Sequence, residues 1–458
     1  MTHSQVLQLQ TDQHFLFALL GVSCVMLLWC LLFTVVCYVV IGLFSVVLTV
    51  VISFINTLGV IFLPHPVWLF WHSSQRRTAA KALMRLQDTY QLDTNTISTG
   101  ELPGSSSVAS LTVDDCFDLG KVAYSEADYY HTELWMAQAL KQLDQGETPG
   151  LMDTVTILEY LSYSIYQQGE VERALNFTKR LLELDPTHQR ANMNLKHYEY
   201  LLSEQKVEAM EEDERRQKRE SRGQTDDLLK YEQLCRGEGT GMSEFVSPKN
   251  VCILLQTFNV FFVQIYVSFT EISEKGRFLL YHRLRRATVH DPQTGKLTTA
   301  HYRVSKSAWL KAYEHPVLDK INQRIGDITG LDVTTAEDLQ VANYGIGGQY
   351  EPHFDFGQKG ELYAFEESGT GNRIATWLFY MSDVPAGGAT VFTKVGVTVW
   401  PIKGTAVFWY NLYPSGEGDY QTRHAACPVL VGSKWVSNKW IRERGQEFRR
   451  RCGLQETD

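Results

Sequence analysis

The spacing of apolar side chains changes twice along the chain. Residues 15–63 form a nearly unbroken apolar run, longer than the roughly 20 residues that one membrane-spanning helix needs. Residues 111–202 show helical spacing, and beyond residue 283 short β-branched and aromatic runs are separated by Gly, Asp and Asn. The pattern predicts an α+β multidomain protein: an apolar membrane-like N-terminal segment, an all-α module and then a β-rich domain.

The apolar N-terminal segment has two open interpretations. No Lys, Arg, Asp or Glu occurs between residues 13 and 75, whereas Arg76 and Arg77 follow directly. If residues 15–63 attach the chain to a membrane, as one span or a hairpin, the positive-inside rule places the rest of the chain on the cytoplasmic side. The alternative is that an exon has been mispredicted and residues 1–76 are not authentic.

The helical module contains two similar units, which indicate a tetratricopeptide-type pair of helix hairpins. In the second unit Tyr160, Tyr163 and Tyr166 recur every three residues, which places them along one inclined helix face. Two interpretations stay open. The tyrosines pack between helices, or they form an aromatic groove for an extended proline-rich peptide, because polyproline II ligands dock on aromatic surfaces.

Two segments lie between the helical module and the β-rich domain. Residues 204–230 are densely charged and helix-prone, which is typical of a solvated helix or linker. Residues 251–269 are uncharged and apolar but contain Gln256, Asn259 and Gln264. Buried strands and a poor membrane span both fit this second segment.

The β-rich domain is predicted to be a β-sandwich or jelly roll with one helix packed outside, around residues 315–330. The predicted strands are residues 341–344, 374–380, 390–392, 397–400, 405–410 and 434–440.

A motif with metal-ligand spacing lies inside this domain. His353 and Asp355 are separated by one residue, and in an extended segment such residues face the same side. His424, from a distant strand, would complete two imidazoles and one carboxylate on one face of an octahedron. That donor set leaves three adjacent positions open, which is the design of non-haem Fe(II) oxygenases.

Two further residues suit the co-substrate of such an enzyme. Lys434 follows His424 by ten residues, and its ammonium could pair with the far carboxylate of a 2-oxoglutarate whose other end chelates the iron. Tyr344, on the strand before His353, could donate its hydroxyl to the same carboxylate. The sequence thus predicts Lys434 and Tyr344 as residues that bind the co-substrate and support catalysis.

Composition narrows the range of partners. The chain has 458 residues, with 43 Lys and Arg against 52 Asp and Glu, and a formal net charge of −9. Binding to a phosphate backbone needs a concentrated basic surface. The acidic balance therefore argues against nucleic acid as a partner.

Around these residues the sequence resembles a known family. The segments QVANYGIGGQYEPHFDF, from residue 340, and TRHAACPVLVGSKW, from residue 422, are similar to the iron-binding segments of collagen prolyl 4-hydroxylase alpha subunits. The resemblance covers residues 283–453 and 77–237, where the helical module is similar to that family's peptide-substrate-binding domain. It implies a double-stranded β-helix, or jelly roll, as the catalytic fold.

Pattern and resemblance together give the predicted domain organisation. It consists of an apolar signal-like or transmembrane segment (1–76), a connector (77–110), a tetratricopeptide-like peptide-substrate-binding domain (111–203), a charged helical linker (204–245), an atypical apolar segment (246–282) and an Fe(II)/2-oxoglutarate dioxygenase domain (283–453).

The resemblance also implies site residues. His353, Asp355 and His424 would ligate Fe(II), and Lys434 would bind 2-oxoglutarate. The peptide groove would be lined by Tyr160, Tyr163, Tyr166, Arg190 and Tyr200, with His197 where the family favours another tyrosine. Cys427 and Cys452 match a family disulfide, and Cys235 matches half of another, for which Cys252 could be the partner.

The implied activity is procollagen-proline 4-dioxygenase, which uses Fe(II), O2 and 2-oxoglutarate and releases succinate and CO2. Ascorbate would be the reductant. The implied assembly is an α2β2 tetramer with protein disulfide isomerase as the beta subunit. Its implied location is the endoplasmic reticulum lumen, where residues 15–63 could anchor it to the membrane. Two alternatives are an oxygenase acting on another residue or protein, and a catalytically impaired, membrane-tethered protein that binds proline-rich peptides.

Overall fold

The structure is a computed structural model that describes most of the chain after residue 64. The described residues are 65–104, 109–148, 150, 152–205, 226–238, 253–255, 260–264, 280, 282–290, 296–358 and 369–453. The predicted membrane segment, residues 15–63, lies outside them. Within the described part of the chain, no helix combines the length and the apolar character needed to cross a membrane.

Helices dominate the first half of the described chain. Their bounds are α1 His65–Tyr90, α2 Thr94–Ser98, α3 Val113–Ser125, α4 Tyr129–Asp144, α5 Thr154–Gln167, α6 Val171–Leu184, α7 Gln189–Gln205 and α8 Asp226–Arg236. The starts follow capping chemistry, because Thr112, Asp128 and Asp153 each accept a hydrogen bond from a backbone N–H of the helix that follows. Helices α3 to α7 surround one apolar core that includes the fully buried Trp135 and Leu158. The predicted helical module is confirmed.

Helix α8 differs from the predicted solvated linker. Its Tyr231, Leu234 and Cys235 are spaced i, i+3 and i+4 and are buried in a cluster with Val391 and Ala425 of the β-rich domain. The charges of the surrounding sequence hid this narrow apolar face. Residues 226–236 of the predicted linker therefore form a helix that packs against the core of the β-rich domain.

Two main sheets form the β-rich domain. The strands are β1 Ile253–Leu255, β2 Val260–Gln264, β3 Arg285–Arg286, β4 Val289–His290, β5 Leu297–Thr298, β6 Lys306–Leu310, β7 Leu339–Tyr344, β8 Tyr350–His353, β9 Arg373–Tyr380, β10 Ala386–Gly387, β11 Thr390–Phe392, β12 Val397–Val399, β13 Thr405–Tyr410, β14 His424–Ala426, β15 Val429–Val431 and β16 Lys434–Arg442. The eight-stranded sheet has the order β1-β2-β13-β9-β16-β7-β6-β3, and the four-stranded sheet has the order β12-β11-β14-β8.

Most predicted elements of this domain are confirmed. The six predicted strands correspond to β7, β9, β11, β12, β13 and β16, with ends that shift by at most two residues. The predicted outer helix is α9, Pro316–Thr329, which begins after the His315 cap and ends at Gly330 in the left-handed conformation. Within residues 251–269, β2 pairs with β13 in the large sheet. Of the two interpretations of this segment, a strand is therefore correct for residues 260–264.

Helix α1 is fastened to the β-rich domain at two places. Arg85 Nη1 donates to the carbonyl of Gly347 at 2.7 Å, and Tyr90 Oη donates to the carbonyl of Pro428 at 2.5 Å. Gly347 has φ +70, and a Cβ there would lie 2.5 Å from the Cβ of Ala82, so only glycine fits against the helix. The predicted connector is thus a helix that touches the segments before His353 and after His424.

Candidate metal and co-substrate site

Three predicted metal ligands meet at the small sheet. His353 ends β8 and lies directly opposite His424, the first residue of β14, and Asp355 follows two residues after His353. His353 Nε2 lies 3.8 Å from Asp355 Oδ1, and His424 Nε2 lies 3.7 Å from Asp355 Oδ2. Among the described residues, these three side chains form the group of His, Cys or acidic residues whose ligand atoms lie close enough together to hold one metal ion.

The ring orientation of both histidines is fixed by backbone carbonyls. His353 Nδ1 lies 2.7 Å from the carbonyl of Glu351, and His424 Nδ1 lies 2.9 Å from the carbonyl of Thr422. A carbonyl can only accept, so Nδ1 carries the proton and Nε2 presents its lone pair to the shared space. Burial, with the neighbouring His424, lowers the pKa of His353 to about 3. The imidazole is therefore neutral and ready to ligate at neutral pH.

Asp355 is charged although it is only 6% exposed. Burial alone would raise its pKa, but His424, His353 and Arg373 lower the pKa to about 2. Thr376 Oγ1 also donates to Asp355 Oδ2 at 2.8 Å. The two imidazoles and this carboxylate form the donor set that suits Fe(II).

Lys434 lies in the same cavity, on the neighbouring sheet. It pairs in register with Tyr344 and is 1% exposed. Its Nζ donates to Thr390 Oγ1 at 3.1 Å and lies 5.8 Å from the ring centroid of Tyr344. Burial lowers its pKa to about 7. No acidic side chain among the described residues forms an ion pair with it, so the position suits an anion, whose charge would favour the protonated amine.

Several lining residues were not predicted. Arg303 stacks its guanidinium over the Tyr350 ring at 4.8 Å, and that ring stacks on His353 at 3.5 Å between centroids. Thr390 and Trp440 line the same cavity. No local motif marks these residues, because each is brought to the site by pairing between strands distant in sequence. Tyr350 lies inside the segment that resembles the family, and that resemblance was the available signal.

The predicted tyrosines of α5 form a continuous aromatic cluster. Tyr160 meets Tyr124 at 4.8 Å between ring centroids, and Tyr163 meets Tyr166 at 6.2 Å. Tyr163 also contacts Tyr129 at 6.1 Å. We call these five residues the tyrosine cluster. Tyr124 and Tyr129 were missed because they lie on other helices.

The remaining predicted groove residues have different surroundings. Arg190 is exposed and pairs with Glu159 at 2.6 Å, and its charge acts on the Tyr124 hydroxyl. Tyr200 is 57% exposed and donates to Glu204, and it makes no ring contact with the tyrosine cluster in the described contacts. His197 Nε2 lies 3.0 Å from the hydroxyl of Tyr166, so this imidazole adjoins the cluster.

The predicted Cys427–Cys452 disulfide is wrong in this structure. Cys427 is bonded to Cys235, 192 residues earlier in the chain, and Cys452 is a free, exposed thiol. The physical reason is the docking of α8, whose apolar face places Cys235 in the buried cluster that contains Cys427. Because Cys235 is bonded to Cys427, the suggested pairing of Cys235 with Cys252 is wrong as well; Cys252 itself lies outside the described residues.

Comparisons with known families agree with this geometry. The prolyl 4-hydroxylase peptide-substrate-binding domain matches residues 113–204. The 2OG-Fe(II) oxygenase superfamily matches residues 339–442, which contain all three candidate metal ligands and Lys434.

Full-length relatives match most of the chain. Prolyl 4-hydroxylase subunit alpha-1 of Gallus gallus is 58% identical over 416 residues, 85% of this chain and 80% of the relative. The Homo sapiens subunit alpha-1 is 59% identical over 406 residues, 83% and 76% of the two chains. A solved structure of a viral collagen prolyl hydroxylase from Paramecium Bursaria Chlorella virus-1 is 25% identical, covers 42% of this chain and 99% of its own, and has a TM-score of 0.33. This chain belongs to the prolyl 4-hydroxylase alpha subunit family.

Proposed function

We propose that this protein is a 2-oxoglutarate-dependent dioxygenase that adds a 4-hydroxyl to peptidyl proline in collagen-like sequences. The observation that carries the proposal is one buried cavity lined by His353, Asp355, His424 and Lys434. Family membership supports the reaction type, and the names of the relatives support proline as the residue hydroxylated.

The residues present fit Fe(II). Each imidazole turns Nε2 toward Asp355 because Nδ1 is committed to a carbonyl, and the carboxylate supplies the negative charge that a divalent cation requires. His353, Asp355 and His424 would hold the ion on one side and leave its other side open to the cavity.

The residues also fit an anionic co-substrate. Lys434 is a buried ammonium bonded to the neutral Thr390, and the Tyr344 side chain lies across the register from it. A carboxylate placed here would pair with the ammonium and raise its pKa, which burial alone lowers. We propose that Lys434 and Tyr344 bind the distal carboxylate of 2-oxoglutarate.

When bound, Fe(II) and 2-oxoglutarate supply oxidising chemistry, in which O2 gives one oxygen atom to succinate, with loss of CO2, and the other to a C–H bond of the substrate. The chain itself orients the ligand side chains and keeps water from the cavity. Its walls include the buried Leu378, Trp409 and Val436, which shield the reacting groups.

The tyrosine cluster supports a proline-rich peptide as substrate. Its five rings are half-buried, so each keeps a surface against which a proline ring could pack. The charge of Arg190 acts on the Tyr124 hydroxyl, and its guanidinium can donate to peptide carbonyls. We propose that Tyr160, Tyr163 and Tyr166 bind the peptide, with Arg190 at the margin and Tyr200 in a weaker, peripheral position.

We further propose the cellular setting that the family suggests. Ascorbate would restore the reduced metal, and protein disulfide isomerase would be the beta subunit of an α2β2 tetramer in the endoplasmic reticulum lumen. The Cys235–Cys427 bond supports an oxidising compartment. The double-stranded β-helix is likewise proposed, supported by residues of both main sheets lining one cavity.

Succinate release from 2-oxoglutarate in the presence of Fe(II), O2 and a (Pro-Pro-Gly)n peptide tests the proposal. We expect peptide-dependent turnover that His424→Ala abolishes and that His301→Ala, at an exposed histidine, retains. Turnover on a lysine peptide alone would instead identify an oxygenase of another residue. Saturable peptide binding without turnover in the folded wild-type protein would identify an impaired peptide-binding protein.

A further inference from the structure

The carboxylate of Asp355 is held by a hydrogen-bond relay from two other segments. Thr376 Oγ1 lies 2.8 Å from Asp355 Oδ2, and Asn411 Nδ2 lies 2.9 Å from Thr376 Oγ1. All three side chains are buried. Because the Asn411 amide nitrogen can only donate, the single Thr376 proton is directed to the carboxylate.

The backbone fixes the two outer members of the relay. Thr376 lies inside β9, opposite Trp409 of β13 and Trp440 of β16. Asn411 directly follows β13, and its N–H donates to the carbonyl of Ile374 at 2.8 Å. Asp355, in contrast, lies two residues beyond the end of β8. Backbone-to-backbone hydrogen bonds therefore hold Thr376 and Asn411, whereas the carbonyl of Asp355 accepts from the Arg373 side chain at 3.2 Å.

We propose that Thr376 and Asn411 are positioning residues that fix the rotation of the Asp355 carboxylate. In the observed rotation Oδ1 faces His353 and Oδ2 faces His424, at 3.8 and 3.7 Å. Without the Thr376 hydroxyl the carboxylate can turn about its Cβ–Cγ bond and lose this arrangement. The inference rests on the proposed function, since it concerns the affinity of the same three ligands for a divalent metal.

The test is an anaerobic titration of the metal-free full chain with Co(II), followed by visible absorption. Thr376→Val keeps the shape of the side chain but removes the donor, and we expect metal affinity to fall about 10-fold to 100-fold, the usual cost of losing an outer-shell partner. Thr376→Ser restores the hydroxyl and should restore most of the affinity. The thermal midpoint of the metal-free protein should change little between Thr376→Val and Thr376→Ser.

A second variant tests the relay itself. Asn411→Leu leaves the Thr376 hydroxyl without its donor partner, and we expect a smaller loss of metal affinity. Because Asn411 acts through Thr376, the Thr376→Val/Asn411→Leu double variant should bind metal as tightly as Thr376→Val alone. Additive losses would assign Asn411 a separate structural role and overturn its part of the proposal.

Failure of the inference is distinguishable from failure of the proposed function. If the wild-type chain binds Co(II), His424→Ala does not, and Thr376→Val binds like wild type, the positioning role is wrong while the metal site stands. Equal weakening by Thr376→Val and Thr376→Ser would also overturn it. If the wild-type chain and His424→Ala both fail to bind, the metal site and the positioning role are both wrong.

Discussion

The buried cluster of His353, Asp355, His424 and Lys434 differs in construction from the tyrosine cluster. In the first, His424, Asp355 and Lys434 are buried, His353 is partly buried, and each has a fixed hydrogen-bond partner. In the second, half-buried rings touch at centroid separations such as 4.8 and 6.2 Å, and Tyr166 alone among the five has a hydroxyl bond given by the structure, to His197.

The difference follows from what each cluster must tolerate. A reacting centre needs its groups held close to one geometry before the substrate arrives. A surface for a repetitive peptide gains from broad apolar faces that accept several registers. Substitutions in the buried cluster should therefore cost more than substitutions among the tyrosines.

The largest effect is expected at Lys434. Lys434→Met keeps the length of the side chain but removes the charge, and loss of a buried, hydrogen-bonded charge pair costs about 3 to 4 kcal/mol, or roughly 100-fold to 1,000-fold in affinity. We expect the KM for 2-oxoglutarate to rise by that factor while the Kd for a polyproline peptide stays unchanged. An unchanged KM would remove Lys434 from the co-substrate site.

A smaller effect is expected at His131, where the helical module has a buried titrating group of its own. His131 Nδ1 lies 2.6 Å from Asp128 Oδ2, and Nε2 lies 3.3 Å from Asp88 Oδ1. Burial would lower its pKa, but the two carboxylates raise the pKa to about 9.

The resulting stability is complete below the unfolded-state pKa of 6.5 and is lost as the pH rises through about 9. The shift corresponds to about 3 kcal/mol. We expect His131→Asn to destabilise the chain at pH 6 and much less at pH 10, measured by the denaturant midpoint of helical circular dichroism. The exposed Lys179→Met is the control, and an equal loss at both pH values would contradict the role of charge.

The smallest effect is expected in the tyrosine cluster. Tyr163→Ala removes a ring that touches Tyr124, Tyr129 and Tyr166, and loss of one aromatic contact surface costs about 1 to 2 kcal/mol, or roughly 10-fold in peptide Kd. Calorimetry with a polyproline peptide measures this change. Tyr200→Ala should bind the peptide nearly as wild type, and a larger loss there than at Tyr163 would move the groove toward α7.

Local pattern was enough to predict one part of the site. His353 and Asp355 are separated by a single residue of an extended segment, so their common orientation follows from strand geometry alone. Short β-branched and aromatic runs likewise predicted β7, β9 and β16, and with them the closeness of Tyr344 to Lys434.

The rest depends on pairing between distant segments. Thr376, Thr390 and Arg303 carry no motif, and they reach the site through strand register. The prediction of the Cys427–Cys452 disulfide was wrong for the same reason. The partner of Cys427 depends on the docking of α8, which lies far away in the sequence. Burial of the narrow apolar face of α8 brings Cys235 to Cys427. The many charged residues along that helix made this face hard to recognise in the sequence.

Helix α1 extends the contacts of the metal-ligand segments well beyond residues 339–442, which match the oxygenase superfamily. Through Gly347 and Pro428 it is bonded to both segments that carry the metal ligands, and Arg236 of α8 donates to the carbonyl of Thr89 at 2.9 Å. A fragment starting at residue 283 would lose the helix, the disulfide partner and strand β2 together. We therefore expect a fragment that starts at residue 283 to be less stable around this site than the full chain, because it lacks the contacts of α1 and α8.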